Sequence, residues 1–358
     1  MLKSRYQNNA FVFLVIVCSL LLGHSSFAAR SCDQVDLNAA PDSPLRKMPV
    51  YDQDGAGLCY AYAAAQLFNF EKIKAGKEQD QVSPISAAET DAFQNVWSDS
   101  NVMGGDPFRV LMSLNKNGYC TVQETERLLG TFKQGKNPLT DAQIALLFAE
   151  YAKMADEKDL TAKKAFRRAS AYFECSSKSM TKISEYMVGK STQRELFRSI
   201  FDQCPKKETA FMDFNVFGGS FGDSEYLDHI DEALASGRPI SIDYCAELQF
   251  SKKKHASKSP DQALADGECG LHASIVTGQR KAKTGECQIM IRNSWGPDWR
   301  GPKGTPCACI TESGEYQQTC QNYSKAREVV GCWFERDGLL KNMRGGVYRV
   351  EGRNFGED

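Results

Sequence analysis

The sequence lacks an excess of charge of either sign, because 44 Lys and Arg residues stand against 45 Asp and Glu residues, for a formal net charge of -1. It has no long basic stripe, and the three lysines at 252–254 are too few to argue from. Nucleic acid and anionic membrane are therefore not expected as partners. Internal repeats and low-complexity tracts are also missing, and 42% hydrophobic residues are ordinary for a soluble globular protein of one enlarged domain or two small ones.

One apolar run, at residues 11–23, has the character of a targeting segment. Lys3 and Arg5 precede it, and the small residues Ser26 and Ala28 follow it, which is typical of a secretory signal cleaved after Ala28. The run is short for a bilayer span and no second one follows, so we expect a secreted or periplasmic protein with no stable membrane insertion after cleavage. Lipid modification at Cys32 is the alternative, but residues 29–31 do not suit that processing.

Thirteen cysteines are many for a chain of this size, and in an oxidising compartment most of them are disulfide candidates. Cys18 leaves with the signal; if Cys59 is a free thiol, eleven of the thirteen remain, so at least one more stays unpaired or bonds elsewhere. Four cysteines near the C-terminus could ligate a metal, but their spacing is not that of a zinc ribbon, which favours disulfides. These four are Cys307, Cys309, Cys320 and Cys332.

The order of helical and strand-like segments predicts an α+β fold with segregated halves. Residues 59–76 begin with an Ala-rich stretch that favours a helix, and residues 121–210 are mostly helical in pattern. Strand-like segments then follow at 239–244, 273–276, 287–291 and 346–350.

Cys59 stands at the predicted start of the Ala-rich helix. The partial positive charge of a helix N-terminus lowers the pKa of a thiol, and a neighbouring imidazolium lowers it further. Gly55 and Gly57 allow a close approach of the backbone. Taken alone, such a cysteine is more often buried or disulfide-bonded than catalytic.

A base for this thiol has few candidates, because the chain holds only four histidines. His24 lies in the signal, His229 in a predicted amphipathic helix, and His255 on a predicted loop. His272 begins a strand-like segment that can hold an imidazole rigidly, so elimination favours it.

Two further segments supply polar groups that a thiol nucleophile and its base need. Asn293 follows the predicted strand at 287–291, and its amide oxygen could fix the imidazole tautomer while Trp295 shields that bond from water. Gln53 lies six residues before Cys59, and its side-chain amide could help to form an oxyanion hole. The alternatives are that Trp295 is exposed on a turn and that Gln53 is an ordinary polar loop residue.

In order along the chain, these segments resemble the papain family of cysteine peptidases. The resemblance covers about residues 46–125 and 210–350, with interruptions, and its most specific part is Asn-Ser-Trp-Gly with a second Trp, within residues 291–299. The other matching segments are 49–53 with 57–61, 82–89, 104–108, 270–276 and 346–350.

The resemblance implies Cys59 as nucleophile, His272 as acid and base, and Asn293 as the residue that orients it. It also implies Gln53 as oxyanion donor and a set of residues near the substrate, namely Gly104, Gly105, Asp243, Ala273 and Trp295. The implied fold is α+β and papain-like, a helical half and a β-barrel-like half with the active site between them. The implied reaction hydrolyses a protein or peptide substrate without cofactor or metal, and we expect a monomer.

The chain also departs from the family. Ala56 and Leu58 replace the usual cysteine and small residue before the nucleophile, and the position near Val102, where the partner cysteine would stand, holds none. From Cys59 to His272 the chain advances 272 − 59 = 213 positions, against roughly 130–150 in papain-like enzymes. No long propeptide separates Ala28 from the catalytic segments.

Together with the signal, these departures predict the domain organisation of the chain. We expect a signal peptide at 1–28, a short irregular lead-in at 29–45, and a peptidase domain at 46–358. A mainly helical insertion at about 121–210 and a cysteine-rich insertion at about 301–344 interrupt that domain. In the family the residue aligned with Asp243 lines a substrate side-chain pocket, so Asp243 would favour a basic or polar side chain there.

Three other functions stay open on the sequence. A papain-fold protein could bind a peptide or partner without cleaving it. The same triad could serve an amidase or acyl transferase that acts on a non-protein substrate. A disulfide-rich structural protein would make the motif matches accidental.

Overall fold

A computed structural model describes residues 32–53, 57–94, 104–129, 133–134, 137–138, 161, 164, 198, 201–207, 211–250 and 259–350. The chain divides into two units, Met1–Asp33 and Gln34–Asp358, and nearly all described residues belong to the second. The expected signal peptide and most of the expected helical insertion lie outside these ranges, as do His255, Gly55, Ala56 and Val102.

The described residues form helices in the first part and strands mostly in the second. The helices are α1 (Cys59–Lys74), α2 (Pro84–Gln94), α3 (Pro107–Asn117), α4 (Val122–Leu129), α5 (Glu225–Ala235), α6 (Ala246–Phe250), α7 (Pro260–Ala265) and α8 (Arg336–Leu340). The strands are β1 (Val35–Asp36), β2 (Lys133–Gln134), β3 (Asn137–Pro138), β4 (Phe214–Gly218), β5 (Ile240–Cys245), β6 (Leu271–Lys281), β7 (Cys287–Arg292), β8 (Cys307–Thr311), β9 (Tyr316–Gln317), β10 (Ala326–Glu335) and β11 (Met343–Arg349).

Helix α1 is the centre of the helical part. Its small Ala side chains let other elements approach closely, and every residue from Tyr60 to Ile73 is buried. Helices α2 and α3 pack against it. Helix α3 is delimited by its own sequence: the Asp106 carboxylate accepts a hydrogen bond from the Phe108 N–H at 2.9 Å, and Gly118 ends the helix at φ 68°.

A nine-stranded antiparallel sheet makes up the second part, with strand order β4-β11-β5-β6-β7-β10-β8-β9 and β1 paired to β6. The four strand-like segments of the sequence correspond to β5, β6, β7 and β11. Strands β5, β6 and β7 are mostly buried along their length, which positions the residues at their ends rigidly. The α+β prediction, with helices before strands, is therefore confirmed.

The lead-in is more ordered than expected. Residues 29–45 were expected to be irregular, but Val35 and Asp36 form β1 and pair with Gln279 and Gly278 of β6. A Cβ at position 278 would lie 2.7 Å from the Val35 carbonyl oxygen. The absence of that carbon lets the two strands approach. The lead-in has no alternating apolar and polar pattern that would predict so short a strand.

The ends of the segment 121–210 meet in space. Cys120 is disulfide-bonded to Cys204, and Tyr119 forms an antiparallel bridge with Lys207. A chain that leaves and returns at one point is what an insertion requires. The helical insertion nevertheless stays a prediction, because within it the structure describes only α4, the short β2–β3 pair and scattered residues.

The segment 301–344 contributes strands that the sequence did not predict. Strand β10 pairs with both β7 and β8, and its Trp333 is buried. The four cysteines of this segment form the disulfides Cys307–Cys332 and Cys309–Cys320, as expected. Bonded sulfurs do not ligate a metal as thiolates do, so the metal alternative is wrong for them.

Disulfides also occur elsewhere in the described part of the chain. Cys245 and Cys269 are bonded to each other, and Cys32 and Cys287 are each disulfide-bonded. None of the helices in the described ranges combines the length and the apolar character that a transmembrane span needs.

Candidate active site

Cys59 is the first residue of α1 and lies in the wall of a cavity of about 330 Å³. Among the described cysteines it alone carries a free thiol, and its side chain is half-buried. Leu58, which precedes it and replaces the small residue usual in the family, is fully buried, so its side chain is directed into the core.

The thiol pKa does not follow the direction that the sequence predicts. Burial raises the pKa of the Cys59 thiol above its usual value, and the nearby Asp243 carboxylate raises it further. The backbone amides of Ala273, Tyr60 and Cys59 lower it without reversing the shift. The expected lowering by the helix N-terminus is therefore outweighed by desolvation, which a sequence does not reveal.

His272 is the second residue of β6 and lines the same cavity as Cys59. Its side chain is buried, and its Nε2 lies 2.7 Å from Oδ1 of Asn293. The backbone N–H of Ser294 donates to that same oxygen at 2.8 Å, which identifies the atom as an acceptor. Nε2 of His272 must then be the donor, and Nδ1 is left as the ring nitrogen that accepts a proton.

Burial lowers the pKa of His272 to about 4, and the hydrogen bond to Asn293 opposes this shift only in part. The isolated imidazole is therefore neutral at physiological pH. The expectation that an imidazolium stands beside Cys59 and lowers its pKa is wrong for these groups taken singly, because each charged form loses hydration in the same enclosed site.

Aromatic rings enclose the imidazole. The indole of Trp295 lies with its centroid 4.6 Å from that of His272, at an interplanar angle of 32°. Tyr244 meets the imidazole edge-on at 5.6 Å, and Phe250 packs on Trp295 at 5.3 Å. Trp295 thus lies over the His272 ring, although the residues that line the cavity in the described structure do not include it.

Asn293 follows the last residue of β7 and receives support that the sequence did not suggest. Besides His272 and Ser294, the hydroxyl of Ser274 donates to its Oδ1 at 3.2 Å. Ser274 in turn lies 3.0 Å from the Tyr244 hydroxyl. These contacts join the ends of three neighbouring strands, β5, β6 and β7, around one amide oxygen.

Gln53 is buried, and Ser294 fixes both its backbone and its side chain. The Gln53 N–H donates to the Ser294 carbonyl at 2.8 Å, and the Ser294 hydroxyl donates to Oε1 of Gln53 at 2.6 Å. Oε1 is thereby engaged on the β7 side, which orients the side-chain amide. The segment before Gln53 is held by the buried Arg292, whose Nη2 donates to the carbonyls of Met48 and Pro49 at 2.9 and 3.0 Å.

The residues expected near a substrate divide into two groups. Gly105, Asp243 and Ala273 line the cavity, whereas Gly104 and Trp295 are not among its lining residues in the described structure. Gly105 is needed there because any side chain would collide with the Tyr60 ring. Gly104 instead donates its N–H to the Gly57 carbonyl at 2.7 Å, joining the two segments that a disulfide would join in the papain family.

Other cavity residues escaped the sequence reasoning. Asp106 and Arg344 bring charge into the cavity, and Val216, Phe217 and Leu271 bring apolar surface. Burial, with Asp106 nearby, raises the pKa of Asp243 to about 7, while Arg344 opposes the rise. Asp106 adjoins the Gly-Gly pair, which was a usable signal, but Val216 and Arg344 carry no local motif.

Comparison with known proteins gives matches among solved structures only. No protein-family model matches the chain, and no curated protein matches it. Three of the similar structures are the Amb a 11 cysteine protease of ragweed pollen in its proform, the bromelain protease of Ananas comosus with the E64 inhibitor, and the Carica candamarcensis cysteine protease CMS1MS2 with E-64.

The matches cover most of this chain, but their sequence identities and TM-scores are low. Amb a 11 has a TM-score of 0.41 at 14% identity, with 91% of this chain and 67% of that chain covered. Bromelain has 0.38 at 14%, with 88% and 98% covered, and CMS1MS2 has 0.39 at 15%, with 89% and 99% covered.

Proposed function

We propose that this chain is an exported cysteine peptidase that hydrolyses peptide bonds through a thioester on Cys59, with His272 as its general base and acid. The observation that carries the proposal is the shared cavity. Cys59 at the start of a helix and His272 near the start of a strand line the same space, and Ala273, next to His272, lines it as well.

The tautomer of His272 suits the role of base. Its Nε2–H is engaged by Asn293, so the lone pair of Nδ1 is available to take the thiol proton. Burial disfavours a lone thiolate and a lone imidazolium alike, but the two charges compensate each other when the proton passes from sulfur to nitrogen. The aromatic cover over His272 keeps this transfer away from bulk water.

The reaction then proceeds in two halves. In the first, the Cys59 sulfur attacks the carbonyl carbon, the scissile C–N bond breaks, and His272 gives its proton to the leaving amine. In the second, water attacks the thioester carbon and loses a proton to His272, the C–S bond breaks, and the proton returns to the sulfur. Peptide and water are consumed, and a carboxylic acid and an amine are released.

The oxyanion formed in each half needs fixed donors. We assign this role to the side-chain amide of Gln53 and the backbone N–H of Cys59. The support for Gln53 is the hydrogen bond from Ser294 to its Oε1 at 2.6 Å, which fixes the orientation of the side-chain amide. Export is supported by the number of disulfide-bonded cysteines, because disulfides persist in oxidising compartments.

The test is digestion of casein and of a peptide library by the mature protein beside Cys59→Ala and Cys59→Ser. We expect cleavage by the natural sequence, labelling of Cys59 by E-64, and loss of both in Cys59→Ala. His272→Gln should lower the rate of labelling, because the thiol loses its base.

Several results would argue against the proposal. Undiminished digestion by Cys59→Ala would remove Cys59 from the reaction. A folded protein whose Cys59 resists E-64 would favour a papain-fold peptide binder. Labelling of Cys59 without new N-termini from a denatured protein would favour an amidase or acyl transferase.

A further inference from the structure

Strand β4 (Phe214–Gly218) forms one edge of the nine-stranded sheet. Its partner on one side is β11, and the described chain supplies no strand on its other side. An edge strand presents a row of backbone N–H and C=O groups, which natural proteins usually shield. Whether these backbone groups are covered changes along β4.

The pairing with β11 fixes which residues face the open side. The N–H of Gly219 donates to the Arg344 carbonyl at 3.0 Å, and the N–H of Val350 donates to the Asp213 carbonyl at 3.1 Å. Hydrogen-bonded positions alternate in an antiparallel pair, so the odd-numbered residues of β4 bond to β11. The N–H and C=O groups of the even-numbered residues, at 212, 214, 216 and 218, then point to the open edge.

The first of these positions is covered. Met212 donates its N–H to Oδ1 of Asn115 at 3.2 Å, and its carbonyl accepts from Nδ2 of Asn115 at 2.7 Å. The side chain of Asn115 therefore imitates the rung of an added strand. Further along, Val216 is 50% exposed and Gly218 is exposed as well.

The open end of the edge coincides with the cavity of Cys59. Val216 and Gly218 line that cavity together with Cys59 and His272. In β11, Gly345 allows a close approach to β4, since a Cβ there would lie 2.5 Å from the Phe217 carbonyl oxygen. A chain that added to β4 would thus enter the space that holds the thiol.

We propose that β4 binds an extended polypeptide substrate as an additional strand, through the N–H and C=O of Val216 and, further along, of Gly218. The proposal rests on the proposed function for the identity of the occupant. It assigns binding energy to the backbone of the substrate rather than to its side chains, with contacts at every second residue of the bound peptide. The enzyme would therefore prefer unfolded or extended segments over a particular sequence.

The test measures peptide affinity in the full chain carrying Cys59→Ala, so that it does not depend on hydrolysis. A fluorescent extended peptide of about eight residues is compared with a series in which one backbone nitrogen at a time is methylated. We expect affinity to fall about tenfold at alternate positions and less than threefold between them, since each sensitive methyl removes one backbone hydrogen bond.

A variant of the protein itself tests the backbone hydrogen bond proposed at Val216. Val216→Pro removes the N–H that faces the open edge and leaves the β11 ladder intact, whereas Val216→Ala keeps that N–H. We expect Val216→Pro to bind the parent peptide about tenfold more weakly than Val216→Ala. If the proline variant does not fold, which circular dichroism would show, the methylation series still decides.

Three results would overturn the proposal. They are a methylation series with no alternation, equal affinity of the proline and alanine variants, and a concentration-dependent dimer that Val216→Pro abolishes, which would assign the edge to a second copy of the chain. Cleavage with Cys59 intact reports separately on the proposed function. A cleaving enzyme with no alternation would contradict only the edge, and alternation without cleavage would contradict only the reaction.

Discussion

The hydroxyl of Ser294 donates to the side-chain oxygen of Gln53 across 2.6 Å. Through its backbone N–H, the same serine donates to Oδ1 of Asn293 at 2.8 Å. One residue therefore holds both the proposed oxyanion donor and the proposed orienting amide of His272. The sequence-based assignment of roles omitted Ser294, although it lies within the Asn-Ser-Trp-Gly segment.

The first prediction concerns Ser294 as a positioning residue. Ser294→Ala removes the hydrogen bond to Gln53 Oε1, so the amide loses its fixed orientation and kcat should fall about tenfold while KM changes less than threefold. Ser294→Thr keeps a hydroxyl and should restore most of the loss. Steady-state kinetics on one peptide decide the matter, and a fall in KM alone or an absence of rescue by Thr would count against it.

The second prediction follows from the low pKa of His272. Its folded pKa of about 4 lies below the ordinary 6.5, so the unfolded chain binds the proton first as the pH falls. The stability contributed by the neutral side chain is therefore complete above pH 6.5 and is lost as the pH falls towards 4. At pH 5 the loss should be about 2 kcal/mol relative to pH 7.

Urea unfolding at several pH values measures this loss, with Cys59→Ala as background so that the thiol does not titrate. The matched control is His272→Gln in the same background, which has no group to protonate. Relative to His272→Gln, the protein that keeps His272 should lose stability as the pH falls below 6.5, by about 2 kcal/mol between pH 7 and pH 5. A constant difference from pH 7 to pH 5 would show that His272 keeps an ordinary pKa.

Much of the fold followed from local patterns, whereas the electrostatics of the site did not. Cys59, His272 and Asn293 were found because a helix start, a strand start and a strand end carry motifs, and the buried antiparallel strands β6 and β7 then bring the last two together. The pKa of Cys59 was misjudged because its main cause is desolvation by residues distant in sequence. The same distance hid Arg344 and Val216, which reach the cavity only through strand pairing.

The third prediction concerns the pH dependence of stability that Asp243 causes. Burial raises the pKa of its carboxyl to about 7, so the protonated form stabilises the fold at low pH and this stability is lost as the pH rises through 7. Asp243→Asn removes the titrating group. Relative to the natural sequence, the variant should gain about 2 kcal/mol between pH 5 and pH 8, a value reduced for the partial exposure of the side chain.

Thermal or urea unfolding of both proteins at pH 5 and pH 8 checks this gain. Asp106→Asn is the companion variant, because it keeps an oxygen that can accept from the Phe108 N–H and removes only the neighbouring charge. It should lower the pKa of Asp243 and shrink the same pH-dependent difference. Each variant differs from the natural sequence in its free energy of unfolding. If neither the difference for Asp243→Asn nor that for Asp106→Asn changes with pH, the two carboxyls do not interact as proposed.

The last prediction concerns the disulfide that closes the segment 121–210. Cys120 and Cys204 are 84 positions apart, whereas Cys309 and Cys320 are 11 apart. A crosslink restricts the unfolded chain more when it closes a longer loop, which gives about 4.6 kcal/mol for the first and about 2.8 kcal/mol for the second in the chain-entropy model. Replacing both cysteines of each pair by serine should therefore lower the free energy of unfolding more for Cys120 and Cys204. Equal losses in urea unfolding would mean that the segment keeps structure in the unfolded chain and that loop entropy does not set the difference.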